Sequence, residues 1–470
     1  MISPTPFPPE IVLHILLELD LSNILATRLT CKQFHGATKT HHFWLTHARR
    51  LQAKTGYVLP YTGSFYTAEE LEQWVSRRQQ ILDNIWSRSS PVRMEIRSFE
   101  SYPEALKHSD FYEFLPGGRF LLSYGRISGL LLIDVESTPP SLPFSFDPWS
   151  IPGQDDTDLH FFTYSYWTDY STRCISFLFA VTHSRATTHS RGRILKTRIF
   201  SLISEDTSNP SAKLISRPHA TFTDKVAEHG HNWELGVWIS AFNNRYFVKV
   251  ECLFSISQMT VLDYSTAIEK HDFPEKGSRP LLINSNSIKA LKFIHDSILI
   301  LVHSIGLRIY EITEPAAIEH PPIIQELHAL DLDYALDHIS PARWFPAFSR
   351  ITLYDLNNLP HFLKIPHDKS TPSIRRAATG SLDLRWKNLG LQPGCFWSLL
   401  YTHDGTPEAL HALDLVKYPW DGTGLVRHLQ VGAREKNTMS AVVAFSEEVG
   451  RLLMIFWHGN SHTFKIFDIV

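Results

Sequence analysis

The stretch Arg119-Phe-Leu-Leu-Ser-Tyr124-Gly-Arg-Ile-Ser-Gly129-Leu-Leu-Leu-Ile-Asp134 decides how most of this chain is read. Two apolar runs of strand length flank a glycine-bounded turn, and the second run ends in an acidic residue. The form recurs. Tyr246-Phe-Val-Lys-Val250 leads to Met259-Thr-Val-Leu-Asp263, and Ser297-Ile-Leu-Ile-Leu-Val302 leads to Gly306-Leu-Arg-Ile-Tyr-Glu311. Cys395-Phe-Trp-Ser-Leu-Leu400 leads to Leu410-His-Ala-Leu-Asp414, and Arg451-Leu-Leu-Met-Ile-Phe-Trp457 leads to Phe464-Lys-Ile-Phe-Asp468. Two weaker copies fill the gaps: Cys174 to Val181 with Lys196 to Ser201, and Trp344 to Phe348 with Arg350-Ile-Thr-Leu-Tyr-Asp355.

The copies stand roughly 45 to 65 residues apart and number about seven, which is the spacing of propeller blades. A small sheet that is apolar on both faces must stack on neighbours, and closing the stack into a ring removes most free edges. Val92, Met94 and Ile96 alternate, so Pro91 to Ser98 is expected to be a strand that closes the ring against the last copy. A leucine-rich repeat would show a sustained L-x-x-L-x-L-x-x-N register, which is absent. A β-sandwich would not explain the recurring acidic strand ends. The Gly-His and Trp-Asp signatures of WD repeats do not recur with these copies, so the reading is a divergent propeller.

Ahead of residue 91 the periodicity is helical. Pro9 suits a first helical position and Glu10 favours the positive helix end. Ile11, Val12, Ile15, Leu16 and Leu19 form one stripe, while Leu13 and Leu17 lie off it. Ser22 is the expected N-cap of a second helix carrying Ile24, Leu25 and Leu29. Phe34, Ala37 and the Phe43-Trp44 pair supply a third apolar surface. Gly56 is a natural C-cap, and Thr67-Ala-Glu-Glu70 is a capping box. The box opens a helix with Leu71, Trp74, Val75, Leu82 and Ile85 on one face, and with Arg77, Arg78, Gln79 and Gln80 mostly opposite. A unit of about 45 residues is near the lower limit for an independent core. Helices apolar on two sides in such a unit imply that one side meets something else.

Residues 7–44 resemble the F-box. Pro8, Glu10, Ile11, Ile15, Leu19, Asp20, Ile24, Leu25, Cys31, Lys32 and Trp44 stand at the places of its pattern. Phe7 replaces the usual Leu, Thr30 the usual Val and Phe34 the usual Trp. At Thr30 a hydroxyl would stand where a core methyl is usual. The resemblance covers about a tenth of the chain. It implies a substrate-receptor subunit of a cullin–RING ubiquitin ligase. Such a subunit binds a Skp-type adaptor through Pro8, Glu10, Ile11, Ile15, Leu19, Leu25, Leu29, Cys31, Phe34 and Trp44, and it holds a target with its C-terminal domain. It would supply proximity rather than chemistry. The order of elements is thus α+β and multidomain: an all-α F-box head at residues 5–50, a helical linker at 51–90, and an all-β propeller-like domain of about seven blades at 91–470.

Composition narrows the rest. The 470 residues are 43% hydrophobic and 20% charged, ordinary for a globular protein of more than one domain. A net charge of −3 lacks the basic footprint of general nucleic-acid binding. Four scattered cysteines form no CxxC pair, which speaks against a zinc ribbon and fits a reducing compartment, cytoplasmic or nuclear. No leader and no membrane-spanning apolar run is expected.

No G-x-S-x-G elbow, P-loop, H-E-x-x-H or dinucleotide fingerprint occurs. His229 and His231 lack a third metal ligand by spacing, and Asp155, Asp156 and Asp158 read as a solvated turn, so neither metal nor cofactor is expected. The segment 182–198 carries His183, Arg185, His189, Arg191, Arg193, Lys196 and Arg198 between two apolar strands. Arg185, Arg191 and Arg193 are candidates for receiving an acidic or phosphorylated target peptide, and a charged hairpin tip kept soluble is the plainer reading. Two other classes remain open at this stage. One is a propeller enzyme such as a glycoside hydrolase, which needs convergent carboxylates at the central channel. The other is a scaffold that uses the adaptor without a ligase role.

Overall fold

A computed structural model describes residues 7–57, 59 and 66–86 and, from 94 to 469, the strands below with most of the short turns that join them. The head opens with α1 (Pro9–Leu17), whose first residue is Pro9 as expected, followed by α2 (Leu21–Arg28), α3 (Lys32–Ala37) and α4 (His41–Thr55). The cap of α2 is Asp20 rather than Ser22: its carboxylate accepts from the Asn23 amide at 2.8 Å, and Ser22 donates its hydroxyl to the same carboxylate. Gly56 caps α4 in the left-handed region, at φ 67°. Helix α5 (Ala68–Trp86) starts at a reciprocal box, with Thr67 amide to Glu70 Oε2 at 2.7 Å and Glu70 amide to Thr67 Oγ1 at 3.2 Å.

Val12, Leu16, Leu17, Ile24, Phe43, Trp44 and Leu51 share one core with Tyr57, Leu59 and, from α5, Leu71, Trp74 and Val75. The head therefore completes its core with the linker helix. Arg28 holds the two together through a fork to Glu72, at 2.7 and 3.1 Å. The expected stripe is split: Val12 and Leu16 are buried while Ile11 and Ile15 are exposed. Arg78 is also placed differently from the expectation. It is buried, with its guanidinium 4.0 Å above the Trp74 ring, because the far side of α5 is covered as well. Burial pushes Arg78 down to about 10, and the nearby Glu448 carboxylate opposes that shift.

The β region opens with β1 (Met94–Ser98). The first sheet is β2 (Phe111–Phe114), β3 (Phe120–Gly125), β4 (Gly129–Asp134) and β5 (Ser141–Phe146). The second is β6 (Leu159–Asp169), β7 (Ser176–Ala186), β8 (Gly192–Ser204) and β9 (Leu214–Ala227). The third is β10 (Ile239–Phe242), β11 (Tyr246–Leu253), β12 (Ile256–Asp263) and β13 (Leu281–Ile283). The fourth is β14 (Ile288–Phe293), β15 (Ile298–His303), β16 (Gly306–Thr313) and β17 (Ile323–Asp331). The fifth is β18 (Leu336–Ile339), β19 (Arg343–Trp344), β20 (Phe348–Asp355), β21 (Pro360–Pro366) and β22 (Ser373–Arg376). The sixth is β23 (Leu391–Gln392), β24 (Trp397–Thr402), β25 (Ala412–Lys417) and β26 (Leu425–Gln430). The last is β27 (Met439–Ser446), β28 (Arg451–His458) and β29 (Ser461–Ile469).

Among the described residues there are thus seven antiparallel sheets, five of them consecutive meanders; in the fifth sheet β18 and β19 both pair with β20. The seventh is completed by β1, which pairs with β29 from Met94–Ile469 to Ser98–Lys465. The expected closing strand is therefore present, and it ties the start of the β region to its end. First strands of successive sheets adjoin: β27 meets β2, β6 meets β10, β10 meets β14, β14 meets β18, and β23 meets β27. Apolar clusters fill the seams, as where Leu121, Leu131 and Ile133 of the first sheet pack with Leu453, Ile455 and Ile466 of the last. This is the propeller-like arrangement expected from the repeats.

One repeat is shifted. Arg350 to Asp355 belongs to β20, the second strand of its sheet, not the third. Asp355 ends β20 because it accepts from the Asn357 and Leu359 amides, at 2.8 and 2.9 Å, and so builds the turn to β21. The same kind of residue thus marks a turn here and a strand end elsewhere.

Candidate functional site

The head presents two apolar pairs at i, i+4 spacing. Ile11 and Ile15 on α1 are 47% and 42% exposed, and Leu25 on α2 with Leu29 at its end are 39% and 86% exposed. Phe7, just before α1, is 59% exposed, and its carbonyl accepts from the Gln33 side chain of α3. Pro8, Glu10 and Cys31 are exposed as well. Both α1 and α2 pack on α3, and α5 seals the opposite side of the head. The surplus apolar surface is thus the Phe7, Ile11, Ile15, Leu25 and Leu29 set.

The other candidates turn inward. Trp44 is fully buried and donates its indole N–H to the Thr38 carbonyl at 2.7 Å, so it holds the head together instead of facing a partner. Leu19 and Phe34 are half-buried against the same core. Thr30 is exposed and donates to the Thr27 carbonyl at 2.7 Å, so its hydroxyl takes no place in the core.

A second feature joins head to ring. Tyr57, 2% exposed, lies under the Arg343 guanidinium at 5.0 Å and donates to the Glu447 carbonyl at 3.4 Å. Arg343 in turn meets Glu448, and also Glu447 at 3.5 Å. Glu448 accepts from the Gly117 amide at 2.6 Å. The short strand β19 of the fifth sheet and turns of the last and first sheets therefore converge on one charged cluster beneath the head. Burial, then the Glu447 carboxylate, holds the Tyr57 hydroxyl protonated well above its usual range. Arg77 of α5 adds contacts to Glu136 at 3.4 Å and Asp468 at 3.8 Å. No signal in the sequence pointed to Tyr57, Arg343, Glu447 or Glu448 as a group.

The recurring acidic strand ends now have partners. Arg119 reaches Asp134 at 2.6 Å, Arg245 reaches Asp263 at 2.8 Å, and Arg451 reaches Asp468 at 2.6 Å. In each case an arginine at the start of the second strand clasps the acid ending the third. The pattern was present in the sequence as an Arg opening the hairpin that the acid closes.

Glu113 of β2, Tyr166 of β6 and Lys292 of β14, on the first strands of three sheets, act on one another. Tyr166 donates to Glu113, burial pushes the Glu113 carboxyl up, and Lys292 opposes that shift. Burial pushes the Lys292 ammonium down, against Glu113. Glycoside hydrolysis needs paired carboxylates; among the described residues the charged group acting on Glu113 is Lys292.

The basic segment 182–198 is mostly strand. Arg185 pairs in register with Ile194, and Ala186 with Arg193, so the β7–β8 ladder runs almost to the tip. The β-branched Ile194, Thr197 and Ile199 favour this extension. Arg191 lies outside the described residues, as do His229, His231, Asp155, Asp156 and Asp158. Arg185 and Arg193 are located by their backbone only. Among the described residues no cluster of metal-ligating side chains occurs, and no helix is long and apolar enough to cross a membrane.

The geometry of the head agrees with a family comparison: residues 7–50 match the F-box-like family model. The N-terminal head is F-box-like. None of the curated proteins matches the chain. Among solved structures, the Myceliophteria thermophila Cps50 (Swd1) β-propeller domain is 10% identical over 80% of this chain and 99% of its own, with a TM-score of 0.42. The WD40 domain of SCAP from fission yeast is 11% identical over 79% and 83%, with a TM-score of 0.40. The WD40 domain of Toxoplasma gondii coronin is 10% identical over 81% and 87%, at 0.36. The propeller-like architecture of this chain rests on its own strand pairing.

Proposed function

We propose that this chain is a substrate-receptor subunit of an SCF-type ubiquitin ligase. The F-box-like head binds a Skp-type adaptor, and the propeller-like domain holds a target protein. The observation that carries the reading is the exposed set Phe7, Ile11, Ile15, Leu25 and Leu29 on a head whose other side is already sealed by α5. Apolar side chains left out on a unit with a complete core of their own are what an obligate partner covers. Pro8, Glu10 and Cys31 border the same surface; Leu19, Phe34 and Trp44 support it from within.

In this role the chain performs no bond chemistry. It raises the effective concentration of a target lysine beside a ubiquitin-loaded enzyme bound elsewhere in the complex. A cullin and a RING subunit are the further partners, and the complex works in the cytoplasm or nucleus. The F-box-like head joined to a propeller-like body supports a substrate adaptor in general.

The test is co-expression with a Skp-type adaptor and a cullin. Wild type co-elutes with both. Ile15→Asp places a charge on the exposed set and abolishes co-elution while the chain keeps its melting temperature. Failure of the folded wild type to bind any Skp-type adaptor overturns the reading. Recovery of adaptor without cullin would make the chain a scaffold instead.

A further inference from the structure

A groove of about 100 Å³ lies at the seam between the fourth and fifth sheets. Its floor is Ile294, Ile298, Ile309, Leu327 and Ile365. It opens at the end of the sheets that carries the first-to-second-strand turns, the end on which the head is seated. These five residues also belong to the apolar cluster that packs the same two sheets together.

The mouth is built by the turn after β21. Lys369 there has φ 63°, and among the described residues it is the non-glycine residue in the left-handed region. That conformation is unfavourable for a lysine and persists only when its surroundings hold it. Three contacts do so. Its carbonyl meets His328 Nε2 at 3.1 Å, and its ammonium forks onto Glu311 at 2.7 and 2.9 Å. The Ser370 amide donates to Asp368 at 3.0 Å. On the other lip Ser349 and His367 are 3.1 Å apart. A strained turn is thus pinned across an apolar hollow.

We infer that this groove receives one aliphatic side chain, leucine-sized, from an extended segment of the target protein. The inference rests on the target-holding role proposed above and names the chemistry it would use. Size and charge select the occupant. A cavity of about 150 Å³ lined by aliphatic and aromatic groups stays dry and takes up a small apolar molecule, so a somewhat smaller one suits a branched four-carbon side chain. The Lys369 ammonium is matched by Glu311, which leaves the mouth balanced against an acidic or basic anchor. Hydroxyls of Ser297 and Ser370 line the rim, where the peptide backbone flanking such an anchor would pass.

The test is isoleucine δ-methyl NMR of the full chain titrated with N-acetyl-leucine amide, N-acetyl-lysine amide and N-acetyl-aspartic acid amide. The leucine probe shifts the Ile298, Ile309 and Ile365 methyls saturably, and the charged probes do not. Filling the groove with Ile298→Phe abolishes the response; Leu327→Phe serves if that variant does not fold. Absence of saturable shifts, equal shifts with the lysine probe, or shifts that persist in the folded filled variants overturn the inference. Adaptor co-elution is unaffected by either substitution, so failure at the groove and failure at the head are read separately.

Discussion

Tyr57 donates its hydroxyl to the main-chain oxygen of Glu447 at 3.4 Å, across 390 residues of sequence. This bond places the end of the helical head on the turn between the first two strands of the last sheet. Gly56 enforces the approach, since a Cβ there would lie 3.0 Å from the Phe345 ring and 3.1 Å from Arg343 Cβ. On the other flank, a Cβ on Gly450 would lie 3.3 Å from Ile81 of α5. Head and ring are thus joined by packing as well as by charge.

Arg343 is the cation of that junction, and its removal should be costly. Arg343→Ala leaves Glu447 and Glu448, 4% and 3% exposed, buried without it. Breaking a buried pair on one side costs about 3–5 kcal/mol. Tyr57→Phe removes one hydrogen bond and costs about 0.5–1.5 kcal/mol. Chemical unfolding of the two variants checks the order. Equal, small losses would mean that the charged cluster is solvated and holds nothing.

Gly118 and Gly36 should respond to alanine with opposite signs. Gly118 has φ 68°, and an added Cβ would stand 2.1 Å from Val449 Cγ2 and 2.8 Å from Ser446 Oγ. The backbone costs about 1–2 kcal/mol and the overpacking about 1–3 more. Gly36 lies inside α3, and a Cβ there meets nothing within 4 Å, so Gly36→Ala should stabilise the head by about 0.5–1 kcal/mol. Calorimetric melts of both variants decide; a Gly118→Ala chain as stable as wild type would contradict the packed turn.

Arg451 should matter more than its counterpart Arg119. Arg451 is fully buried, forks onto Asp468 at 2.6 and 3.0 Å, and donates to the Gly118 carbonyl at 2.6 Å. It therefore ties the closing sheet to the first. Arg451→Met removes the fork from buried Asp468 and costs about 3–5 kcal/mol, while the double change with Asp468→Leu recovers much of that loss. Arg119, whose side chain is 33% exposed, pairs with Asp134 nearer to solvent, so Arg119→Met should cost less. A double-mutant cycle at each pair measures the difference, and equal coupling energies would count against it.

Features written into neighbouring residues were legible in advance. The Thr67–Glu70 box and the Gly56 cap need only local chemistry, and both formed as read. Strand runs were legible because two apolar faces repeat along the chain. The Arg–Asp clasps were half legible: the acids stood out, but partners 15 to 18 residues away become neighbours only across a hairpin. The split between Ile15 and Leu16 was not legible, because α1 is apolar nearly all round and the covered side is set by α4 and α5. Asp20 and Ser22 are both good caps by type, and the actual start of α2 chose between them. The junction at Tyr57 depends on ring closure, which no short window contains.

Stability should fall as pH drops through the histidine range. Burial is the main cause holding His47, His303 and His361 below their ordinary value of 6.5. At His47 the Arg50 charge adds to it. At His303 Arg308 pushes the same way and Asp331 opposes. His361 is stacked on Tyr334 at 3.8 Å and sits 3.3 Å from Asp355, whose bond and charge oppose the shift without overcoming burial; Asp333 opposes it too, and Arg376 assists it. The folded state therefore keeps these rings neutral at pH values where the unfolded chain takes up protons. Because the unfolded state binds more protons, stability rises with pH across this window and declines from 6.5 downward, toward the lowered folded-state values. Melting temperatures taken from about pH 7.5 to about 5.5, above the carboxylate range, should decrease steadily. His303→Gln and His361→Gln should each flatten the slope. A melting temperature that holds or rises as pH falls over this range would show that these rings are protonated within the folded chain.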